Sequence, residues 1–297
     1  MTRPHGKVRL GALFALLALV AIGVAAYFYA DYRRFENAAL RVPPDAKAID
    51  VPLGTPLPGV VRLLEEQGIA AGRPIYWRIL ARELGVAGQL HAGEYALVPA
   101  MTPRDLLRKM AAGEVVQHHV TIVEGWTFKQ LRVALAQETG LKQTLAAVDD
   151  DELRKRLGIA EISPEGWFLP ETYSYVKGMS DFDVLRRAHE AMQKLLDKLW
   201  AEHDAEAALD SPYQALTLAS IVEKETARVD ERPQIAGVFA RRLKLGMKLQ
   251  TDPTVIYGLG AKFDGNLRKV DLQTDTPWNT YTRGGLPPTP IAMPGKA

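Results

Sequence analysis

The chain has 297 residues, 47% of them hydrophobic and 24% charged, which is long enough for two domains that each bury a core. Its 37 basic and 35 acidic residues leave a net charge of +2, which argues against a nucleic-acid partner. The absence of cysteine excludes disulfides and thiolate metal sites, and the six histidines show no ligand spacing. We therefore expect neither a metal ion nor an organic cofactor.

An uncharged stretch near the N-terminus predicts a membrane span. Residues 10–30 form 21 positions without a charge, which as a helix extend roughly 31 Å against a hydrocarbon core of about 30 Å. Residues 1–9 contain three lysines or arginines and the following flank is mixed in charge, so the N-terminus should stay in the cytoplasm. The alternative is a cleaved signal peptide with Gly23, Val24 and Ala25 as the cleavage site. The apolar stretch is longer than a usual signal core of about 7–15 residues, which favours the anchor.

The next region predicts a polar linker and a small binding module. The linker covers residues 31–49, and the module covers residues 50–118. The predicted elements of the module are helices at residues 56–67, 75–84 and 103–112 and a strand within residues 92–97. Because no acid, base and nucleophile converge in it, we expect this module to bind rather than to catalyse.

The remainder, residues 119–297, predicts a second domain of mixed helix and strand, so the expected fold class is α+β. Its predicted strands are residues 120–123 and a segment beginning at Thr172. One predicted helix ends at about Gln137. The other predicted helices cover residues 149–156, 182–208, 211–228 and 233–246. The segment 165–175 contains four aromatic residues and two glutamates. This composition suits either a sugar site or core aromatics at a strand edge.

The helix at residues 211–228 contains the strongest catalytic candidate. Its two glutamates, Glu223 and Glu225, lie two positions apart and therefore point roughly 200° from each other. Arg228 lies at ion-pair spacing from Glu225, which predicts an ordinary helix ion pair. The neighbours of Glu223 at one-turn spacing are all short: Ala219, Ser220, Thr226 and Ala227. These neighbours leave a groove for a ligand, although a glutamate on a solvated helix face is the alternative.

A polar segment follows the next predicted helix. Residues 250–254 combine amide, hydroxyl and carboxylate groups, and we expect a loop that recognises a polar ligand. The alternative for Asp252 is a turn in which its side chain caps its own backbone.

Several segments together resemble the endolytic murein transglycosylases, also called the MltG or YceG-like family. The matching segments are residues 219–226, 249–258, 279–281, 285–288, 165–168 and 170–173. Residues 92–95 lie where this family has a LysM-like module, so the resemblance implies that residues 50–118 form such a module. Family members continue beyond position 297, which predicts that the catalytic domain of this chain is truncated at its C-terminus.

The resemblance implies cleavage of the bond between N-acetylmuramic acid and N-acetylglucosamine inside glycan strands, leaving 1,6-anhydro ends. In this family the essential acid is the residue that corresponds to Glu223. One carboxyl group can suffice if the C6 hydroxyl of the substrate is the nucleophile, because the same group can donate a proton and then accept one. This chemistry predicts a partly desolvated Glu223. It also implies an enzyme anchored in the inner membrane by a single span, with its catalytic domain in the periplasm.

The candidate substrate-binding residues are Glu171, Tyr173, Ser220, Gln250, Asp252, Thr254, Tyr257, Asn279 and Tyr281. Two other functions stay open: a hydrolase that uses Glu171 or Asp252 as a second catalytic carboxylate, and a non-catalytic cell-wall-binding or division scaffold protein. The expected partners are peptidoglycan strands and the membrane, with peptidoglycan synthases or division proteins open.

Overall fold

The computed structural model describes residues 6–69, 72–204 and 208–297. The fold is mixed α+β, as expected, and it divides after Val116 into an N-terminal unit and a C-terminal unit. The sequence placed this boundary after residue 118. Each unit has hydrophobic clusters of its own, which is why each can be described as a separate folded body.

Helix α1, Gly6–Asn37, is long and apolar enough to cross a membrane. It continues past the predicted end of the span at residue 30, so the prediction of a polar linker beginning at residue 31 was wrong. The reason is that its last turns are amphipathic: Tyr32 is buried in the N-terminal core and Phe35 packs against that core. Packing of this apolar face stabilises helix where the charged residues alone indicated a linker.

The N-terminal unit consists of one antiparallel strand pair and several helices. Its elements after α1 are β1 (Ala48–Val51), α2 (Leu57–Glu66), α3 (Pro74–Glu83), β2 (Gly93–Ala96) and α4 (Pro103–Ala112). In the strand pair Ile49 lies opposite Tyr95, and both side chains are fully buried. Helix α4 begins where Thr102 and Asp105 form a capping box, a local signal that fixes its start.

The C-terminal unit has a second antiparallel strand pair surrounded by helices. Its elements are β3 (His118–Thr121), α5 (Phe128–Gln137), α6 (Asp150–Leu157), β4 (Thr172–Tyr175), α7 (Asp181–Ala201), α8 (Pro212–Glu225), α9 (Arg232–Lys244), α10 (Asp252–Leu259), a 3-10 turn (Gly260–Lys262) and α11 (Lys269–Gln273). Strand β3 pairs with β4 so that Val120 lies opposite Tyr173.

Several element boundaries differ from the prediction, and strand β3, for example, covers His118–Thr121 instead of residues 120–123. Helix α7 ends at Ala201 instead of residue 208, and residues 205–207 of that prediction lie outside the described residues. Helix α8 ends at Glu225, because Thr226 adopts an extended conformation. The segment predicted as a loop at residues 250–254 contains the start of α10, since Pro253 suits the first helical turn.

The aromatic residues of the segment 165–175 belong to the core. Trp167, Phe168, Tyr173 and Tyr175 are all buried in the larger cluster of the C-terminal unit. The hydroxyl of Tyr173 donates to the carbonyl of Leu169 at 2.8 Å. Of the two alternatives for this segment, the structure therefore supports core aromatics at a strand edge, and Tyr173 is not an exposed sugar contact.

Candidate active site

The end of helix α8 positions the principal catalytic candidate. The helix starts with Pro212 after Ser211, whose hydroxyl accepts from the N–H of Gln214 at 3.2 Å. Ile221 and Val222 are buried in a cluster shared with α9 and the residues that follow α11. This packing fixes the last turn of α8 and therefore the position of Glu223.

Glu223 is buried and ion-paired. One of its carboxylate oxygens accepts from the guanidinium of Arg232 at 2.8 Å, and the side chains of both residues are 7% exposed. The other oxygen accepts from the backbone N–H of Gly295 at 3.0 Å. The side chain is thus largely removed from solvent, and its two partners are groups that bind a carboxylate.

The groove predicted beside Glu223 is occupied by the protein itself. Ser220 accepts from the N–H of Ile291 at 3.0 Å, which places residues 291–295 along the side of α8 that has short side chains. The space beside the short neighbours of Glu223 is therefore filled by this backbone segment and by Arg232. The sequence indicated the free space correctly, but it did not reveal what fills that space.

A loop from the start of the C-terminal unit meets the same point. The N–H of Gly125 donates to the carbonyl of Met293 at 2.9 Å, and the N–H of Met293 donates to the carbonyl of Trp126 at 2.8 Å. Gly125 has a φ of +74°, a backbone conformation that favours glycine. Lys224 donates to the Gly125 carbonyl at 3.2 Å, so the loop is connected to α8 next to Glu223.

A second carboxylate shares the arginine of Glu223. Glu124 lies 3.6 Å from the guanidinium of Arg232, and its side chain is 49% exposed. Arg232 therefore contacts both a buried glutamate and a half-exposed one. Sequence reasoning assigned no role to Glu124 or Arg232, because these residues meet Glu223 only through tertiary contacts.

The predicted ion pair between Glu225 and Arg228 was wrong. Because α8 ends at Glu225, Arg228 lies outside the helix and pairs with Asp230 at 2.6 Å instead. Glu225 accepts from the hydroxyl of Thr251 at 2.8 Å. This contact joins the start of α10 to the end of α8.

Three of the predicted substrate-binding residues, like Tyr173, have buried side chains that are bonded within the protein. Ser220 donates to the carbonyl of Thr217 at 2.7 Å, and Thr254 donates to the carbonyl of Thr251 at 2.8 Å. The amide of Asn279 donates to the carbonyls that end α11, including that of Thr274 at 2.7 Å. As folded, these side chains shape the backbone around the site instead of facing a ligand.

Other predicted residues lie closer to the surface. Tyr281 donates to exposed Asp252 at 2.6 Å, and this hydrogen bond raises the pKa of Tyr281 to about 12. Gln250 is exposed and has a φ of +52°. Glu171 is half-exposed and pairs with Lys296.

Tyr257 leads to a carboxyl group that sequence reasoning did not assign to the site. Its hydroxyl donates to Glu165 at 3.0 Å, and the other oxygen of Glu165 accepts from the N–H of Phe128 at 2.8 Å. Glu165 is only 3% exposed, and this burial raises its pKa to about 7. Burial likewise raises the pKa of Tyr257 above its usual range. The signal in the sequence was the segment 165–175, whose aromatic residues and two glutamates suited a sugar site but did not show which glutamate is buried.

Two cavities adjoin Glu165. The larger has a volume of about 680 Å³ and is lined by Thr127, Lys129, Gln130, Glu165, Lys224, Pro253, Ile256, Tyr257, Gly260, Ala261, Trp278 and Ile291. The other, of about 610 Å³, shares Lys129, Glu165 and Tyr257 with it. Both volumes are typical of ligand sites. Glu223, which is covered by Arg232 and Gly295, lines neither of these two cavities, although its neighbour Lys224 lines the larger one.

Within the parts of the chain that the structure describes, no group of three or more histidine, aspartate or glutamate side chains could hold a metal ion.

Comparison with known proteins shows the family. The model of the YceG-like family matches residues 49–297. An endolytic murein transglycosylase of Bacillus subtilis (strain 168) is 31% identical, with 83% of this chain and 72% of that protein covered. One from Streptococcus pneumoniae (strain D39) is 28% identical over 98% of this chain and 58% of its own length. The crystal structure of a YceG-like protein from Listeria monocytogenes matches with a TM-score of 0.50 at 29% identity, covering 84% of this chain and 86% of that one.

Both of these relatives are named endolytic murein transglycosylases. The chain belongs to the YceG-like family. The resemblance seen in the sequence motifs is thereby confirmed. The chain spans only 58% of the length of the pneumococcal relative, so its own reaction is treated below as a proposal.

Proposed function

We propose that this chain is an endolytic lytic transglycosylase. It would cleave the bond between N-acetylmuramic acid and N-acetylglucosamine within peptidoglycan strands and leave 1,6-anhydro ends. The observation that carries the proposal is the buried carboxyl group of Glu223, held by Arg232 and Gly295 next to the cavity-lining Lys224. The names of the matched relatives supply the substrate class.

In the proposed reaction Glu223 acts first as an acid and then as a base. Glu223 first takes up a proton from solvent, and this proton passes to the glycosidic oxygen as the bond from that oxygen to C1 breaks. The resulting carboxylate is the form that Arg232 and the Gly295 N–H bind. It then accepts the proton of the C6 hydroxyl while the hydroxyl oxygen bonds to C1. The products together contain the atoms of the substrate, and no water is consumed.

The larger cavity is the proposed position of the glycan. Its wall combines the rings of Tyr257 and Trp278 with the charged groups of Glu165 and Lys224. Apolar and aromatic surface with a few polar groups is the usual composition of a sugar site. Lys224 directly follows Glu223 in α8, so a glycan in this cavity lies beside the end of that helix.

A second candidate function has support from one contact. Glu124 and Glu223 share Arg232, and glycoside hydrolases use two carboxyl groups on either side of the scissile bond. The residues proposed from sequence for this role, Glu171 and Asp252, are engaged with Lys296 and Tyr281 instead. A two-carboxylate hydrolase that uses Glu124 would add water to its products.

The test is mass spectrometry of purified peptidoglycan strands incubated with the detergent-solubilised full chain. We expect 1,6-anhydro ends from the wild type and a rate at least about 100-fold lower from Glu223→Gln, the lower end of general acid–base contributions. The matched control is Glu190→Gln, on the exposed side of α7, which should cut normally. Unchanged cutting by Glu223→Gln would contradict the assignment. Products that contain an added water, and that disappear in Glu124→Gln, would establish the hydrolase.

The proposed setting of this reaction is the outer face of the cytoplasmic membrane. Helix α1 would be a single-pass anchor with residues 1–9 in the cytoplasm, supported by its length and by the basic residues before it. Residues 50–118 would form the LysM-like glycan-binding module, and the C-terminal unit would lie in the periplasm. Protease digestion of intact spheroplasts tests this orientation, because only an exported C-terminal unit would be degraded.

A further inference from the structure

The two cavities of the C-terminal unit have a common wall. Glu165, Tyr257 and Lys129 line both of them, and the carboxyl group of Glu165 is the most buried charged group in that wall. Trp278 lines only the larger cavity, whereas Phe128, Arg132 and the end of α5 line only the smaller one. A ligand that occupied both cavities would therefore pass Glu165 and Tyr257.

The hydrogen bonds of Glu165 leave it able to bind a ligand. One oxygen accepts from the Phe128 N–H and the other from the Tyr257 hydroxyl. A carboxylate has about four acceptor positions, and with the backbone N–H of Gly166 as a third donor one position remains for a ligand. Such a buried polar group at a cavity surface is most favourable when a ligand completes its hydrogen bonds.

A glycan strand is a suitable ligand for such a pair of cavities. An enzyme that cuts inside a strand must bind sugar units on both sides of the scissile bond. Each sugar unit offers hydroxyl and amide donors to Glu165 and apolar ring faces to residues such as Phe128 and Trp278.

This inference rests on the proposed function. We propose that the two cavities are adjacent glycan subsites. Glu165 and Tyr257 lie between these subsites and form hydrogen bonds to the strand in both cavities. Glu165 is a binding residue in this arrangement, and Glu223 is the group that transfers protons. Arg132 helps to shape the second subsite: it bonds the carbonyls of Leu145 and Val148 at 2.9 and 2.8 Å and pairs with Asp150.

The experiment compares the affinity for two lengths of glycan. The probes are a disaccharide and a tetrasaccharide of alternating N-acetylglucosamine and N-acetylmuramic acid, and every protein carries Glu223→Gln so that the probe is not cut. In this background we expect the tetrasaccharide to bind more tightly than the disaccharide. Glu165→Gln and Tyr257→Phe should each weaken tetrasaccharide binding about tenfold, the effect of losing a hydrogen bond to a charged group, and disaccharide binding by much less. Glu190→Gln, on exposed α7, is the matched control and should change neither affinity.

Each outcome decides the proposal. Equal weakening for both probes would mean that the pair only supports the local structure, and no weakening for either would mean that the strand does not touch it; either result overturns the inference. If Glu165→Gln does not fold, as circular dichroism would show, Tyr257→Phe decides, because that substitution removes one hydroxyl and keeps the ring. Failure of the proposed function is seen separately, as an absence of cutting by the wild type.

Discussion

Each of the two units buries a glutamate near the end of a helix and pairs it with an arginine from another helix. In the N-terminal unit Glu36, at the end of α1, is 1% exposed and pairs with Arg104 of α4. In the C-terminal unit Glu223, at the end of α8, pairs with Arg232 of α9. The two pairs have the same chemistry, so burial and an arginine partner do not by themselves distinguish a catalytic group.

The surroundings of the two pairs differ. Besides Glu36, Arg104 also pairs with Glu83 at 2.8 Å, and Glu83 accepts a hydrogen bond from the hydroxyl of Tyr32. These contacts form a network that connects α1, α3 and α4. The network around Glu223 instead includes half-exposed Glu124, a backbone N–H and, through Arg232, the carbonyl of Ala297, and it lies beside a residue that lines a cavity. We conclude that the pair of Glu36 and Arg104 stabilises the packing of helices, whereas the pair of Glu223 and Arg232 also lies next to a cavity that could hold a ligand.

The largest expected effect is the loss of Arg232. Replacing it in Arg232→Met leaves the buried carboxylate of Glu223 without its cation, which should lower the free energy of unfolding of the C-terminal unit by about 3–5 kcal/mol. Cutting of glycan strands should fall as well, since Glu223 loses the group that orients it. Thermal unfolding and the mass-spectrometric assay measure the two effects. Arg241→Met, the same exchange at an exposed position of α9, should stay within about 0.5 kcal/mol.

The next prediction concerns a buried glutamate that has no arginine partner. Burial raises the pKa of Glu165 from 4.5 in the unfolded chain to about 7 in the folded protein. Between pH 4.5 and pH 7 the carboxyl group is therefore protonated in the folded protein and ionised in the unfolded chain. This group therefore contributes its full stability below pH 4.5, and the contribution is lost as the pH rises to 7 and above. At 1.36 kcal/mol per pKa unit the change is about 3 kcal/mol.

Denaturant unfolding of the wild type and of Glu165→Gln between pH 4 and pH 8 measures this contribution. The wild type should lose stability relative to the variant as the pH rises, because glutamine does not ionise. A constant difference between the two proteins over this range would show that folding does not shift the pKa of Glu165, and would contradict the expected effect of burial.

A smaller effect is expected for Arg104→Met in the N-terminal unit. Glu36 would keep one cationic neighbour, Arg33 at 2.6 Å, so the expected loss is about 2 kcal/mol, below that for Arg232. Hydrogen exchange in α1 and α4 would measure it, with the exposed exchange Arg108→Met as the control. If Arg104→Met slowed the cutting of short soluble glycans as much as Arg232→Met does, the two pairs would not differ in the way we describe.

Local signals made most of the fold predictable. The start of α8 follows from Ser211 and Pro212, and the start of α4 follows from Thr102 and Pro103, because a helix cap depends on residues a few positions apart. The choice of Glu223 over Glu225 likewise rested on helical spacing. These predictions needed no knowledge of distant contacts.

The features that the sequence did not predict depend on contacts between residues far apart in the chain. Nothing in the spacing around Glu223 indicates that Arg232 would face it or that Gly295 would donate to it. The end of α1 was predicted as a linker because its charged residues are visible in the sequence, whereas the burial of Tyr32 against the N-terminal core is not. Glu165 was named only as one of two glutamates in an aromatic segment for the same reason: its environment comes from Phe128 and Tyr257.

The smallest expected effect lies at the exposed edge of the site. Tyr281→Phe removes the hydroxyl that donates to Asp252 at 2.6 Å, and because Asp252 is exposed, the free energy of unfolding should change by no more than about 1 kcal/mol. If the pair positions substrate, KM for glycan strands should rise severalfold while kcat stays constant, since uniform binding is lost. Steady-state kinetics of Tyr281→Phe, Asp252→Asn and the double variant test this as a cycle. Effects on KM that do not add would show that the tyrosine acts through Asp252, whereas simple addition would mean that the two contact the strand independently.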